Sequence, residues 1–259
     1  MVAGSRGVFG THLLRELGDR YEIVATTRDT LDLDHVDAVA RAARGAFAFA
    51  CTAGPFQQLN RRIVRAVVDA GAHWLDIADD ERWFFDLIDD RDLDALAVRR
   101  GVVVMPGLST LPAISYALVR RVLPAQHVKI TLFIGNDNPK GAAAIASGSA
   151  LRTPDVELLR REGIEAEVAT QFEMLGAKTM MRVLSVLPMR VRLRLAKLFG
   201  SRVPRFGTSG GYVEVRAGDR VARFDGGQSM AVLPLVYVLD HIDTIEPGVH
   251  SPTACIMPL

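Results

Sequence analysis

Two hydrophobic periods alternate along the first half of the chain. Short runs of consecutive apolar residues suit strands covered on both faces, and between them apolar residues recur every three or four positions, as on an amphipathic helix. Residues 11–17 have helical spacing and stop at Gly18, and residues 21–27 form a short β-rich run. A helix over 38–44 is entered through the acidic turn 31–37, where the helix dipole favours carboxylates, and is closed by Gly45. Residues 46–52 are continuously apolar. Residues 60–70 set Ile63, Val64, Val67 and Val68 on one helical face, with Gly71 as the stop, and 73–77 reads as the next strand. One longer helix is predicted over 81–100 and another buried strand over 101–105. Strands alternating with helices in this order predict an α/β fold with a doubly wound parallel sheet.

Beyond Pro112 the pattern changes. A helix over 113–122 precedes residues 127–134, which alternate like a strand with one solvated face. Residues 136–141 make a polar turn and 142–149 a small-residue helix; a short helix around 156–161 leads into irregular structure up to 176. Residues 210–216 and 220–224 form a hairpin about a turn containing Gly and Asp. An apolar helix over 230–241 is expected to return to the first domain, and 246–252 is turn-rich. The predicted organisation is thus 1–112, a smaller α+β domain over 113–227, and a helix and tail over 228–259 that pack back on the first domain.

Residues 178–205 hold eight basic residues and no acidic one. If a helix starts at Pro188, Arg190, Arg194 and Lys197 line one side and Val191, Leu195 and Leu198 another. Such a helix over 188–199 could make peripheral contact with an anionic membrane or an acidic substrate; the alternative is a surface or dimer-contact helix with solvated arginines.

A content of 49% hydrophobic and 24% charged residues over 259 positions is that of a globular protein with a sizeable core. Net charge +1 supplies no overall attraction to nucleic acid, so none is expected as a partner. Cys51 and Cys255 are too few and too far apart for a disulfide framework, which predicts a reducing, cytoplasmic setting. No signal peptide is expected, since the first residues are the glycine loop itself, and no apolar run approaches the ~20 residues of a membrane span. Motifs for zinc ligation, a P-loop or a serine elbow are absent, so no metal is expected.

The chemistry starts at Gly4, Gly7 and Gly10, spaced G-x-x-G-x-x-G between a strand stub and a helix. A diphosphate that approaches main-chain N–H groups leaves no room for β-carbons, and the helix start presents its positive end to the anion. This strand, glycine loop, helix and strand make a dinucleotide-binding Rossmann unit, with Ser5, Arg6, Val8 and Phe9 in the same loop. Only three residues precede Gly4, against about five or six in an ordinary strand; the central strand is therefore expected to be short, or the start to lie inside a longer chain. About 20 residues past the loop, where the adenosine ribose is met, stands Arg28. A guanidinium there favours the 2′-phosphate of NADP, while Asp29 beside it leaves NAD open. Thr52, Ala53, Gly54 and Pro55 follow a strand's carboxyl end, where the ribose and nicotinamide side is held. Asp79, Ser109 and Thr110 follow the next two strands and are the candidates for the substrate cleft. His73 and Asp76 lie within a strand and are read as structural.

Taken together, Gly-x-x-Gly-Val-Phe-Gly, Ala-Gly-Pro-Phe, Ala-Gly-Ala-His-Trp-Leu-Asp-Ile-Ala-Asp-Asp and Pro-Gly-Leu-Ser-Thr-Leu-Pro-Ala, ordered across residues 4–113, resemble the saccharopine dehydrogenase family. The resemblance implies an NAD(P)-binding domain followed by an α+β domain that shapes the substrate site and often the dimer, so a homodimer is expected. It does not select a substrate. The predicted activity is hydride transfer between NADP(H) and a small molecule held between two domains. Two alternatives stand beside it: a non-catalytic NADP-binding scaffold, and a membrane-associated reductase of a lipid-linked substrate. No general acid or base can be named from the sequence.

Overall fold

The computed structural model describes residues 1–135, 137, 153–173 and 207–254, with isolated positions 183, 186–188, 190, 191, 194 and 195 between the last two blocks. The small-residue helix expected at 142–149 lies outside the described residues, as do Cys255 and most of the basic stretch 188–199.

In chain order the first half runs β1 (Val2–Ala3), α1 (Val8–Leu17), β2 (Ala25–Thr26), α2 (Val36–Ala43), β3 (Ala48–Cys51), α3 (Arg62–Asp69), β4 (His73–Asp76), α4 (Glu81–Ile88), α5 (Arg91–Arg100) and β5 (Val103–Met105). The second half adds α6 (Ser115–Val122), β6 (His127–Ile134), α7 (Pro154–Arg161), β7 (Glu165–Phe172), β8 (Gly211–Ala217), β9 (Arg220–Asp225), α8 (Leu233–His241) and β10 (Gly248–Val249). The first sheet has the order β10-β5-β4-β3-β1-β2 and is parallel throughout. The second has the order β7-β6-β8-β9 and is mixed, β6 pairing parallel to β7 and antiparallel to β8.

Burial explains both sheets. All four residues of β3 are buried, and Phe49 stacks on Trp74 of β4 with ring centroids 5.3 Å apart. The α3 face of Ile63, Val64, Val67 and Val68 is fully buried against this sheet. Removing such side chains from water stabilises the fold by about 1.5–3 kcal/mol each. In the second sheet Val128 and Ile130 of β6 and Val213 and Val215 of β8 turn one face onto α6, forming a separate core. Leu235, Val238 and Leu239 of α8 join the first core, and Asp240 at its end accepts the Tyr21 hydroxyl at 2.8 Å.

Four expectations are corrected. The run 21–27 yields only Ala25–Thr26 as strand, at the sheet's edge with Val24 exposed beside it. The single helix 81–100 is two helices, because the Asp90 carboxylate caps the second by accepting Leu93 N–H at 2.9 Å. Residues 165–172, expected to be irregular, are the eight-residue edge strand β7. Within the turn-rich ending, Gly248–Val249 adds β10 to the first sheet beside β5.

Candidate active site

The first sheet reverses its direction of winding at β1. The chain passes through α1 to β2 on one side and then through α2 to β3 on the other, leaving a crevice above the carboxyl ends of β1 and β3. Residues 4–10 lie there. Gly4 has φ +80°, and a Cβ on it would fall 2.8 Å from Ala53 N. A Cβ on Gly10 would overlap Gly4 O and come within 2.8 Å of Ser5 Cα. These two glycines are therefore required by close packing. Gly7 differs, since a Cβ there would meet only Gly4 O, at 3.1 Å, with open space elsewhere.

Gly7 is also the N-cap of α1, which has no side-chain cap and no acidic residue in its first turn. The first N–H groups of a helix find no partner within it, so this start offers donors and positive potential with no carboxylate to compete. A dinucleotide's diphosphate fits that cradle. Val8 and Phe9, half-buried, belong to the same first turn.

The remaining cofactor candidates divide by what they already bond. Ser5 gives both its N–H and its hydroxyl to Thr26 O, at 3.1 and 2.9 Å, and Thr52 gives both to Ala3 O, at 2.9 and 2.8 Å. Those two hydroxyls tie the crevice to β2 and β1. Arg28 lies just past β2, with its guanidinium 3.4 Å from Asp34; Arg6 lies 3.6 Å from Asp29. Both pairs are largely exposed and contribute little, so either guanidinium can turn to a phosphate. Ala53, Gly54 and Pro55 form the loop after β3, and the Ala53 backbone lies against Gly4 of the glycine loop. A cavity of about 590 Å³ runs from Arg6, Gly7 and Val8 along α1, past His12 and Arg15, to the turn Gly226–Ser229 after β9. Its described lining is basic, with no carboxylate.

Beyond β4 and β5 the site is acidic. Asp76 is fully buried: its Oδ2 accepts both indole N–H groups, from Trp74 at 2.8 Å and Trp83 at 2.9 Å, and its Oδ1 accepts Ala78 N–H at 2.9 Å and Gly107 N–H at 3.1 Å. Burial pushes its pKa up while the four donors pull it down. All four partners donate, so the carboxylate is the form this node accommodates. It fastens the loop after β5 to β4, and with it Ser109 and Thr110, both buried. His73 is structural as well, its Nδ1 accepting Val103 N–H at 2.9 Å.

Asp79 stands half-buried past the end of β4, and burial first, then the charges of Asp80 and Asp155, push its pKa up to about 6. Asp155 and Ser115 were not foreseen. Asp155 lies in the first turn of α7, which packs on α4 and on the segment 110–114, and its Oδ1 makes a short hydrogen bond with Ser115 Oγ. Burial pushes Asp155 up to about 6 against the pull of that bond. In the sequence it looks like any acid at a helix start; only its burial sets it apart.

No family model matches the chain, and no curated protein matches it. Among solved structures, the amine dehydrogenase from Mycobacterium smegmatis is similar with a TM-score of 0.59 at 11% identity, over 100% of this chain and 95% of that one. A dipicolinate-bound dihydrodipicolinate reductase from Paenisporosarcina sp. TG-14 gives a TM-score of 0.45 at 11% identity over 96% of each chain, too distant to add to the assignment. The first likeness agrees with the topology: a Rossmann-type parallel sheet with a second, smaller mixed-sheet unit. Among the described residues no helix is long and apolar enough to cross a membrane, and no cluster of side chains could hold a metal.

Proposed function

We propose that this chain is an NADP-preferring oxidoreductase, saccharopine dehydrogenase-like in its motif order, that passes hydride to or from a small substrate held beside Asp79. The observation that carries the reading is the uncapped, carboxylate-free start of α1 above the β1/β3 crevice, walled by glycines that tolerate no side chain at Gly4 and Gly10. The amine dehydrogenase of shared fold supports it at the level of architecture. When bound, the nicotinamide supplies the hydride acceptor or donor.

The chain's own residues do the rest. The open N–H groups of the first turn of α1 hold the diphosphate, and Arg28 pairs with the 2′-phosphate in place of Asp34. Ser5 and Thr52 keep the loop rigid through their bonds to Thr26 and Ala3. Ala53, Gly54 and Pro55 hold the nicotinamide ribose toward Asp79, Ser109 and Thr110. Two carboxyls with raised pKa values near this position favour turnover over a binding-only role. A homodimer belongs to the same proposal.

Fluorescence titration of the purified protein with NADPH and NADH tests it. A charge-assisted contact to the 2′-phosphate is worth about 1.5–3 kcal/mol, so NADPH binds about tenfold to a hundredfold tighter than NADH, and Arg28→Ala removes most of that gap. If neither nucleotide binds, the oxidoreductase reading fails; a preference that survives Arg28→Ala refutes the role of Arg28 alone.

A further inference from the structure

We propose that the cavity along α1 is a second oxyanion site, separate from the diphosphate cradle, in which Arg15 and His12 hold a phosphate or carboxylate group carried by the substrate. Assigning the anion to the substrate rests on the oxidoreductase reading, whereas the site itself rests on the walls of the cavity.

Helical spacing sorts α1 into faces. Gly10, Leu13 and Leu17 are buried toward the sheet. On the opposite flank Gly7, Thr11 and Arg15, four residues apart, form one ridge and Val8 and His12 the next, and all five line the cavity of about 590 Å³. Thr11 turns its hydroxyl back to Gly7 O at 2.9 Å, which leaves recognition to the basic side chains. Among the described residues the side chains of His12 and Arg15 have no hydrogen bond or ion pair, and Arg6, at the helix start, is 3.6 Å from Asp29. No carboxylate lines the cavity. Glu16, the next acid along α1, is not part of its wall; Asp225, just before the facing turn, is paired with Arg223, and Glu173 accepts Thr208 N–H.

The facing wall is held in place by its own bonds. Gly226 and Gly227 both donate N–H to Gly211 O, at 3.2 and 3.1 Å, and Ser229 gives its hydroxyl to Gly226 O at 2.9 Å. Gly227 has φ +59°, and a Cβ on Gly226 would come within 3.1 Å of Met230 and Phe224. Residues 229–231 pack on α1 and also on the segment 110–114, so this wall joins the cavity to the side of the crevice where Thr110 lies. Arg15 is about 12 Å along the helix axis from Gly7. Even leaning back toward the helix start, its guanidinium stays about a turn short of the N–H groups that hold the diphosphate. A guanidinium offers a fork of N–H groups to two oxygens of one anion, and the imidazole adds another N–H. A cationic group would be repelled here, and an apolar one would strip water from charged side chains without replacing it.

The test is amide chemical-shift mapping of the full nitrogen-15-labelled chain with inorganic phosphate, before and after saturation with NADPH. Without nucleotide, phosphate is expected to move Val8 to Gly10 as well as the cavity wall. With NADPH bound, saturable shifts in the millimolar range should remain at His12, Arg15 and the turn Gly226–Ser229. Arg15→Gln, at an exposed position that leaves folding intact, should weaken that remaining binding about fivefold, with NADPH affinity unchanged. Acetate run in parallel identifies the group: the tighter of the two anions says whether the substrate carries a phosphate or a carboxylate. If NADPH abolishes every phosphate shift, the cavity belongs to the dinucleotide and the proposal is overturned. Wild-type phosphate binding in Arg15→Gln, or no saturable shift from either anion, overturns it too. Phosphate bound through Arg15 in a protein that takes up neither nucleotide would sink the oxidoreductase reading and leave the anion site standing.

Discussion

Asp76→Asn perturbs the node that holds the substrate side of the crevice together. The carboxylate receives two indole N–H groups on Oδ2 and two main-chain N–H groups on Oδ1. Asparagine keeps one acceptor oxygen and turns an amide N–H₂ toward the other pair, so either both tryptophans or Ala78 and Gly107 lose their acceptor. Each buried donor left unsatisfied costs about 1–3 kcal/mol, giving about 2–6 kcal/mol in all. Removing a buried charge offsets part of that, and a net loss of about 2–4 kcal/mol is expected. Urea unfolding followed by tryptophan emission is the assay, because Trp74 and Trp83 are the only tryptophans of the chain and both bond to Asp76. The native emission should change along with the midpoint, at an unchanged slope. A loss below about 1 kcal/mol with unaltered emission would refute the node.

Gly10→Ala forces a β-carbon into Gly4 O and Ser5 Cα, so α1 must move off the loop; stability should fall by about 1–3 kcal/mol and NADPH affinity with it, both read on one preparation. Wild-type values for both would show that the close approach is not needed. His73 predicts an acid-side loss of stability. Burial lowers its pKa from 6.5, and its bare Nδ1 accepts Val103 N–H only while the ring is neutral. As pH falls through 6.5 the unfolded chain takes the proton first, so stability drops from there down to the folded pKa. His73→Asn, whose amide oxygen can accept the same N–H, should lack that part of the urea midpoint's decline; an identical decline contradicts the assignment.

Where contacts are local, the sequence was a good guide. Ile63, Val64, Val67 and Val68 mark the buried face of α3 by spacing alone, and the turn 217–219 announces the β8–β9 hairpin. Glycine spacing likewise points to the crevice, because two of the three glycines answer to backbone packing within the same few residues and the neighbouring strand end. What escaped depends on distant partners. β7, rich in Glu and Ala, has little strand propensity of its own and is held by its parallel ladder to β6. β10 is two residues long and is recruited by β5 across most of the chain. The break at Asp89–Asp90 was hidden by good helix formers on both sides, although Asp90 three residues before Leu93 is a cap signal in retrospect. Asp155 was invisible for a related reason: Pro154-Asp155 is an ordinary helix opening until Ser115 and the segment 110–114 bury it.

Amide chemical-shift mapping with nitrogen-15-labelled protein and NADPH tests the central claim most directly, since it reports on the N–H groups at the start of α1 themselves. The largest shifts are expected at Val8, Phe9 and Gly10, with further ones at Ala53, Gly54 and Arg28. Saturable NADPH binding that leaves those amides unmoved would place the dinucleotide elsewhere and contradict the account.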